Sequence, residues 1–225
     1  FSASLIFYDS MLSDITDEER MDYVSTQGYA WGYIGSCVPF VLCLVIVLGS
    51  DPLGIRMETA MGIAFVLVAV WWLLMSLPLL KNYEQKYYVE KKPHAIAQSF
   101  KRLGETFKNM KEEKQVFMFL LAFFFYIDGV YTIIDMATAY GSALGLDSTG
   151  LLLALLVTQI VAFPCAIIFG NLSYRIRTEK LIIVCIFAYL GIAIFAVFLK
   201  TQLQFWILAI LVGMFQGGIQ ALSRS

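Results

Sequence analysis

An all-α, polytopic membrane helix bundle is the fold this sequence predicts, and three observations predict it. Apolar residues make up 60% of the chain and charged residues only 15%, against about 25% charged in a soluble domain. The apolar residues gather into six stretches that can each cross a hydrocarbon core, which takes about 20 mainly apolar residues as a helix. Lys and Arg concentrate in alternate connections between those stretches, the asymmetry that retains loops in the cytoplasm.

The chain opens on Phe1–Leu12, apolar but too short to span, without an initiator Met or the basic start of a signal peptide. It reads as the tail of a helix. With Leu222–Ser225 ending the chain without a loop, this is expected to be an internal part of a longer protein. Thr16-Asp17-Glu18-Glu19 follows, with Thr16 placed to cap a helix and Glu19 three residues later placed to answer it. A capped, solvated helix start is preferred there over a metal site.

The spans then run Gly28–Gly49, Thr59–Leu80, Val116–Tyr140, Thr149–Phe169, Leu181–Leu199 and Phe205–Leu222. In the first, Gly28, Gly32 and Ser36 recur every four residues and predict a close helix contact, as do Gly213 and Gly217 in the last. Pro39 and Pro164 interrupt their helices and free carbonyls that only protein or a wet cavity can satisfy. Cys37, Cys43, Cys165 and Cys185 lie inside apolar stretches with no CxxC spacing and no partner His. They read as small buried hydrophobes, and no metal or cofactor is expected.

Between the second and third spans lies a long connection with Lys81, Lys86, Lys91, Lys92, Lys101, Arg102, Lys108, Lys111 and Lys114. It is assigned to the cytoplasm. Alternation from it places Asp14–Asp22, the turn with Arg175, Arg177 and Lys180, and Arg224 inside as well. The connections Ser50–Glu58, Gly141–Ser148 and Lys200–Gln204 face out and hold only Arg56 and Lys200. Within the long connection Ile96, Phe100, Leu103, Phe107 and Met110 draw one apolar stripe on a helix. Two readings stand: an amphipathic helix on the inner membrane surface, or a linker packed beneath the bundle. His94, the only histidine, is a lone loop residue.

Charge inside the third span carries the function. Asp128 sits at its centre and Asp135 seven residues on, hence on the same face. An Asp at the centre of a spanning helix costs roughly 2.5–3.5 kcal/mol on insertion scales, so such a residue faces a polar cavity, a partner or a proton path. The alternative is an acid kept neutral or hydrogen-bonded only to orient the bundle. Desolvation favours a protonated carboxyl, which makes Asp128 the choice for binding a proton or a substrate amine. Asp135, Tyr131, Gln159, Gln216 and Gln220 are the accompanying residues of a substrate or proton path, with interhelical hydrogen bonding as the alternative for the three glutamines.

Four stretches carry a family resemblance: Phe7-Tyr8-Asp9-Ser10-Met11-Leu12-Ser13-Asp14-Ile15 with Thr16-Asp17-Glu18-Glu19-Arg20; Gly28-Tyr29-Ala30-Trp31-Gly32-Tyr33-Ile34-Gly35; Phe125-Tyr126-Ile127-Asp128-Gly129-Val130-Tyr131-Thr132-Ile133-Ile134; and Gln216-Gly217-Gly218-Ile219-Gln220-Ala221-Leu222-Ser223-Arg224-Ser225. Together they resemble the vacuole-effluxer-like branch of the major facilitator superfamily. The resemblance implies the end of helix four through helix ten of a twelve-helix carrier. Residues 1–80 would close the first six-helix half, 81–115 would be the inter-half linker, and 116–225 would hold the first four helices of the second half.

The turn after the fourth span is also similar to the superfamily's cytoplasmic signature Gly-x-Leu-x-Asp-Arg-x-Gly, carried by Gly170, Leu172 and Arg175. It departs at Tyr174, where Asp is usual, and at Arg177, where Gly is usual. Gly170 and Arg175 are thus the expected gate residues. In the third span Ile127 stands where the branch often has a polar residue.

The expected activity is secondary transport of a small metabolite, by rocking of two halves about a midplane site. The resemblance implies an amino acid or similar small metabolite, exported; proton coupling is expected from the buried acid Asp128, with substrate binding without coupling as the alternative, and the plasma membrane is the expected location. A non-transporting scaffold or sensor is the alternative. An enzyme is disfavoured by the lack of HExxH, of a Walker loop and of an intramembrane His. Asp128 and Asp135 stand about 10 Å apart along the axis, too far to share a proton as a dyad. The expected partners are the bilayer and a small solute; net charge −1 offers nothing for nucleic acid.

Overall fold

The computed structural model describes residues 2–52, 54–86, 98–102, 104–106 and 114–224. Helices are α1 (Ser2–Ser10), α2 (Leu12–Ile15), α3 (Met21–Leu48), α4 (Met57–Asn82), α5 (Lys114–Ala143), α6 (Ser148–Ser173), α7 (Thr178–Val197) and α8 (Gln202–Arg224). Among the described residues there is no strand. Among the described residues, six segments are long and apolar enough to cross a membrane: α4 to α8, and Glu18–Leu48, which contains α3. Helices are the answer lipid imposes, since each backbone N–H must find its acceptor within its own segment. The protein is a multi-pass membrane protein of helical-bundle fold.

Local chemistry sets the turns. Asp147 Oδ2 accepts from the Gly150 N–H at 2.7 Å and caps α6. Gly145, at φ +74°, ends the α5 turn where the Leu146 N–H reaches back to the Gly141 carbonyl at 3.1 Å, a left-handed C-terminal geometry. A reciprocal capping box opens α8: the Gln204 N–H donates to Thr201 Oγ1 at 3.3 Å, and Gln204 Oε1 accepts the Thr201 N–H at 3.1 Å. The capping box expected at Thr16–Glu19 does not form. Residues Glu18–Arg20 instead make a 3-10 turn and α3 starts only at Met21, so Thr16 and Glu19 fall outside the helix they were to cap.

Packing centres on α6 and α8, which make the most extensive contact, with α3 laid against α6 and α7 against α8. Gly213 and Gly217 permit this approach as expected: a Cβ on Gly213 would stand 2.7 Å from the Thr158 carbonyl oxygen, and one on Gly217 2.7 Å from Ala166 Cβ. Gly32, by contrast, has open space around it. The Gly28–Gly32–Ser36 stripe is therefore not a close helix contact. The α5 helix turns Val130, Ile133, Ile134, Ala137 and Gly141 inward, while α4 packs chiefly on α3. Trp72, Leu73, Phe65 and Leu80 stay exposed, the apolar exterior a bilayer demands. All four cysteines are free, and Cys185 is fully buried.

Of the expected linker stripe only Phe100 lies within the described residues, and it is exposed; Ile96, Leu103, Phe107 and Met110 lie outside them, as does His94. Lys101 and Glu105 form a solvated i,i+4 pair at 3.9 Å. The start of the connection is tied down: Asp14, 6% exposed, accepts from the Tyr83 hydroxyl and, at 3.1 Å, from the Lys86 N–H.

Candidate functional site: the seam between two helix groups

The helices before the long connection, α1–α4, meet those after it, α5–α8, chiefly through α3, which packs on both α6 and α8. The seam runs from the end holding Arg20, Ser173 and Arg224 toward the middle of the spans.

At the outer edge of the seam, Tyr23 and Tyr174 set their rings 5.6 Å apart and the Asp22 carboxylate accepts from the Thr178 hydroxyl. Thr178 opens α7, whose N-cap Arg177 supplies no side-chain cap of its own. Asp22 therefore places negative charge at the positive end of a helix in the other group. At the signature turn Tyr174 stands where Asp is usual and packs on Tyr23, beside Asp22. Arg175 is exposed and forms no ion pair among the described residues.

Of the two signature residues, Gly170 is the one in close contact across the seam. Thr26 lies so close that a Cβ on Gly170 would meet Thr26 Oγ1 at 2.1 Å. That hydroxyl is committed to its own helix, donating to the Asp22 and Tyr23 carbonyls at 2.9 and 2.8 Å. Further in, Ala30 and Tyr33 pack on Ala162 and Ala166, and Trp31 sets its ring 5.8 Å from Phe163. The Tyr33 hydroxyl donates to Gln220 Oε1 at 2.7 Å, a bond from α3 to α8.

Arg224 ends α8 inside the other group. Its side chain is only 9% exposed. Nη1 donates to Asp9 Oδ1 at 3.0 Å, and Nε donates to Ser25 Oγ at 3.1 Å. The guanidinium carbon sits 5.1 Å from the Tyr8 ring centroid and 4.9 Å from that of Tyr29, within cation–π range of both. Ser25 Oγ in turn donates to the Ala221 carbonyl at 2.7 Å, fully buried. Sequence reasoning counted Arg224 only as an inside charge and passed over Asp9, Ser25 and Tyr29. Their partners lie about two hundred residues away in the chain, beyond any local pattern.

The expected path residues are distributed as follows. Asp128, Tyr131 and Asp135 are exposed on the face of α5 away from its buried stripe. Tyr131 is 43% exposed and shares this face with both acids. Among the described residues neither acid has a salt-bridge partner. Gln216 is 7% exposed, and its Oε1, like that of Gln159, is buried without a protein partner. Gln216 borders a cavity of about 40 Å³ with Thr158, between α5, α6 and α8. Gln220 is the path residue already bound across the seam.

Known proteins agree with this architecture. An uncharacterized MFS-type transporter, YxiO, of Bacillus subtilis is 46% identical over all of this chain, which covers 53% of it. Autophagy-related protein 22 of Kluyveromyces lactis is 25% identical over 92% of the chain and 45% of its own length. Autophagy-related protein 22-1 of Emericella nidulans is 21% identical over 90% of the chain and 38% of its own length. The chain thus spans about half the length, or less, of these relatives. No solved structure matches. The family described as Vacuole effluxer Atg22 like matches residues 9–225, and with a whole-chain relative named as an MFS-type transporter, this chain belongs to the Atg22-like family of transporters.

Proposed function

We propose that the full-length protein is a secondary carrier that exports a small metabolite, an amino acid, by rocking α1–α4 against α5–α8, with protons as coupling ion and the plasma membrane as its site. The observation that carries this reading is the seam itself. At the end holding Arg20, Ser173 and Arg224 it is closed by separable contacts, one ion pair, a few hydrogen bonds and ring contacts, with the small apolar cluster of Ala30, Tyr33, Ala162 and Ala166 further in. Such contacts, worth about 1 kcal/mol each for hydrogen bonds, can be made and broken together on a transport cycle. Family membership supports export, since the family is described as an effluxer.

Asp128, Tyr131 and Asp135 line the exposed face of α5, and Gln159 and Gln216 hold buried acceptor oxygens without a protein partner, Gln216 on the packed side of α5. In this reading Asp128 takes the proton or the substrate amine, Tyr131 orients it, and the glutamines bind the polar remainder. The test is flux in proteoliposomes of the full-length protein loaded with labelled amino acids under an imposed pH gradient. Gradient-driven efflux that fails in Asp128→Asn supports the assignment. A protein that moves none of them, with or without a gradient, favours a sensor or scaffold.

A further inference from the structure

Arg224 belongs to α8, yet the groups that hold its guanidinium come from α1 and α3. One carboxylate oxygen, one hydroxyl, one backbone carbonyl at 3.5 Å and two tyrosine faces surround a single cation. Gly28 keeps one wall open: a Cβ there would stand 3.2 Å from the Tyr8 hydroxyl and 3.7 Å from Arg224 Nη2. An acid between two aromatic faces is how proteins recognise ammonium and guanidinium groups.

We propose that Tyr8, Asp9, Ser25 and Tyr29 form a cation-recognition site of the α1–α4 group, filled in this state by Arg224 as a tethered ligand and open to a substrate's ammonium or guanidinium group when α8 withdraws. This rests on the reading that the two groups part during transport. A residue tied to the same molecule competes at an effective concentration on the order of millimolar or more. Arg224 therefore excludes weak cations while the seam is closed. On opening, Asp9 loses its partner and presents its charge to the cytoplasm, so a cationic group arriving there can replace the arginine. A bound cation then opposes reclosure until it leaves the site, which gives the carrier a reason to discriminate by charge at its inner face.

The experiment is calorimetric titration of the full-length protein with methylguanidinium chloride, with sodium chloride as control. Arg224→Ala should bind it saturably. Wild type should not, and Arg224→Ala/Asp9→Asn should bind at least tenfold more weakly. Arg224→Gln carries the same expectation as Arg224→Ala, should the alanine variant fail to fold. Absence of saturable binding to a folded Arg224 variant overturns the proposal, as does equal binding once Asp9 is neutralised. Binding is read without flux, so a protein that moves no amine still tests the site. Equally, a working carrier whose Arg224→Ala form ignores the probe refutes the site alone.

Discussion

Gly170→Ala should loosen the seam between α3 and α6, and the structure supplies the size of the effect. The added Cβ would lie 2.1 Å from Thr26 Oγ1, about 0.9 Å inside the 3.0 Å limit that real Cβ contacts respect. Turning the threonine away is no escape, because it forfeits the hydrogen bonds to the Asp22 and Tyr23 carbonyls. Either those bonds go or α3 and α6 move apart, and overpacking of this kind costs about 1–3 kcal/mol. Spent against the closed state, that lowers the closed-to-open ratio by about 5–150-fold. Ser25 is fully buried at the seam and close in shape to cysteine, so Ser25→Cys as the sole cysteine of the full-length protein is the reporter. Its labelling by an impermeant maleimide from the cytoplasmic side should quicken by that factor in Gly170→Ala. Adding Thr26→Ala removes the nearest atom and leaves Thr26 Cβ at 3.0 Å, so most of the effect should reverse. An unchanged labelling rate in Gly170→Ala, or no reversal by Thr26→Ala, would refute the reasoning.

Other perturbations read separate contacts. Tyr33→Phe leaves Gln220 Oε1 without its donor and should cost about 1–3 kcal/mol, read as a lower Tm; an unchanged Tm means that bond contributes nothing. Thr178→Val removes the donor to Asp22 and should speed labelling of the same Ser25→Cys reporter, while equal rates would show that Asp22 does not hold the seam. The Tyr83 phenol is held above its ordinary value of 10.0, first by the hydrogen bond it gives to Asp14. The stability this contact contributes is present below that value and is lost as pH rises through the raised one. Asp14→Asn should move the Tyr83 tyrosinate transition, taken as the difference from Tyr83→Phe, to lower pH; a fixed midpoint would contradict it. Asp128→Asn should reduce proton-driven flux more than Asp135→Asn, and the reverse order would shift the role along α5.

The spans were legible because length and hydropathy in lipid leave little choice, but their ends were read short. The apolar run of the first span begins at Gly28, whereas α3 begins at Met21. Its first two turns are polar and helical because Ser25 and Thr26 are buried against α8 and α6. Capping was legible as a pattern but not as a place. The Thr-x-x-Gln box operates at Thr201, where it coincides with a helix start, and the Thr-x-x-Glu pattern at Thr16 does not. The exposed acids of α5 announced themselves by their cost in lipid. Arg224 carried no such signal, since an arginine at the inner end of a span is ordinary until Tyr8, Asp9 and Tyr29 are seen around it.

Alternating access at this seam is tested most directly by locking it. In the full-length protein, Tyr23→Cys and Tyr174→Cys place two thiols where rings now meet 5.6 Å apart, and a short reducible bifunctional maleimide can join them. Amino-acid efflux from proteoliposomes should fall to background when the pair is joined and return when the linker is reduced. Efflux that continues at full rate through a joined pair would contradict the account.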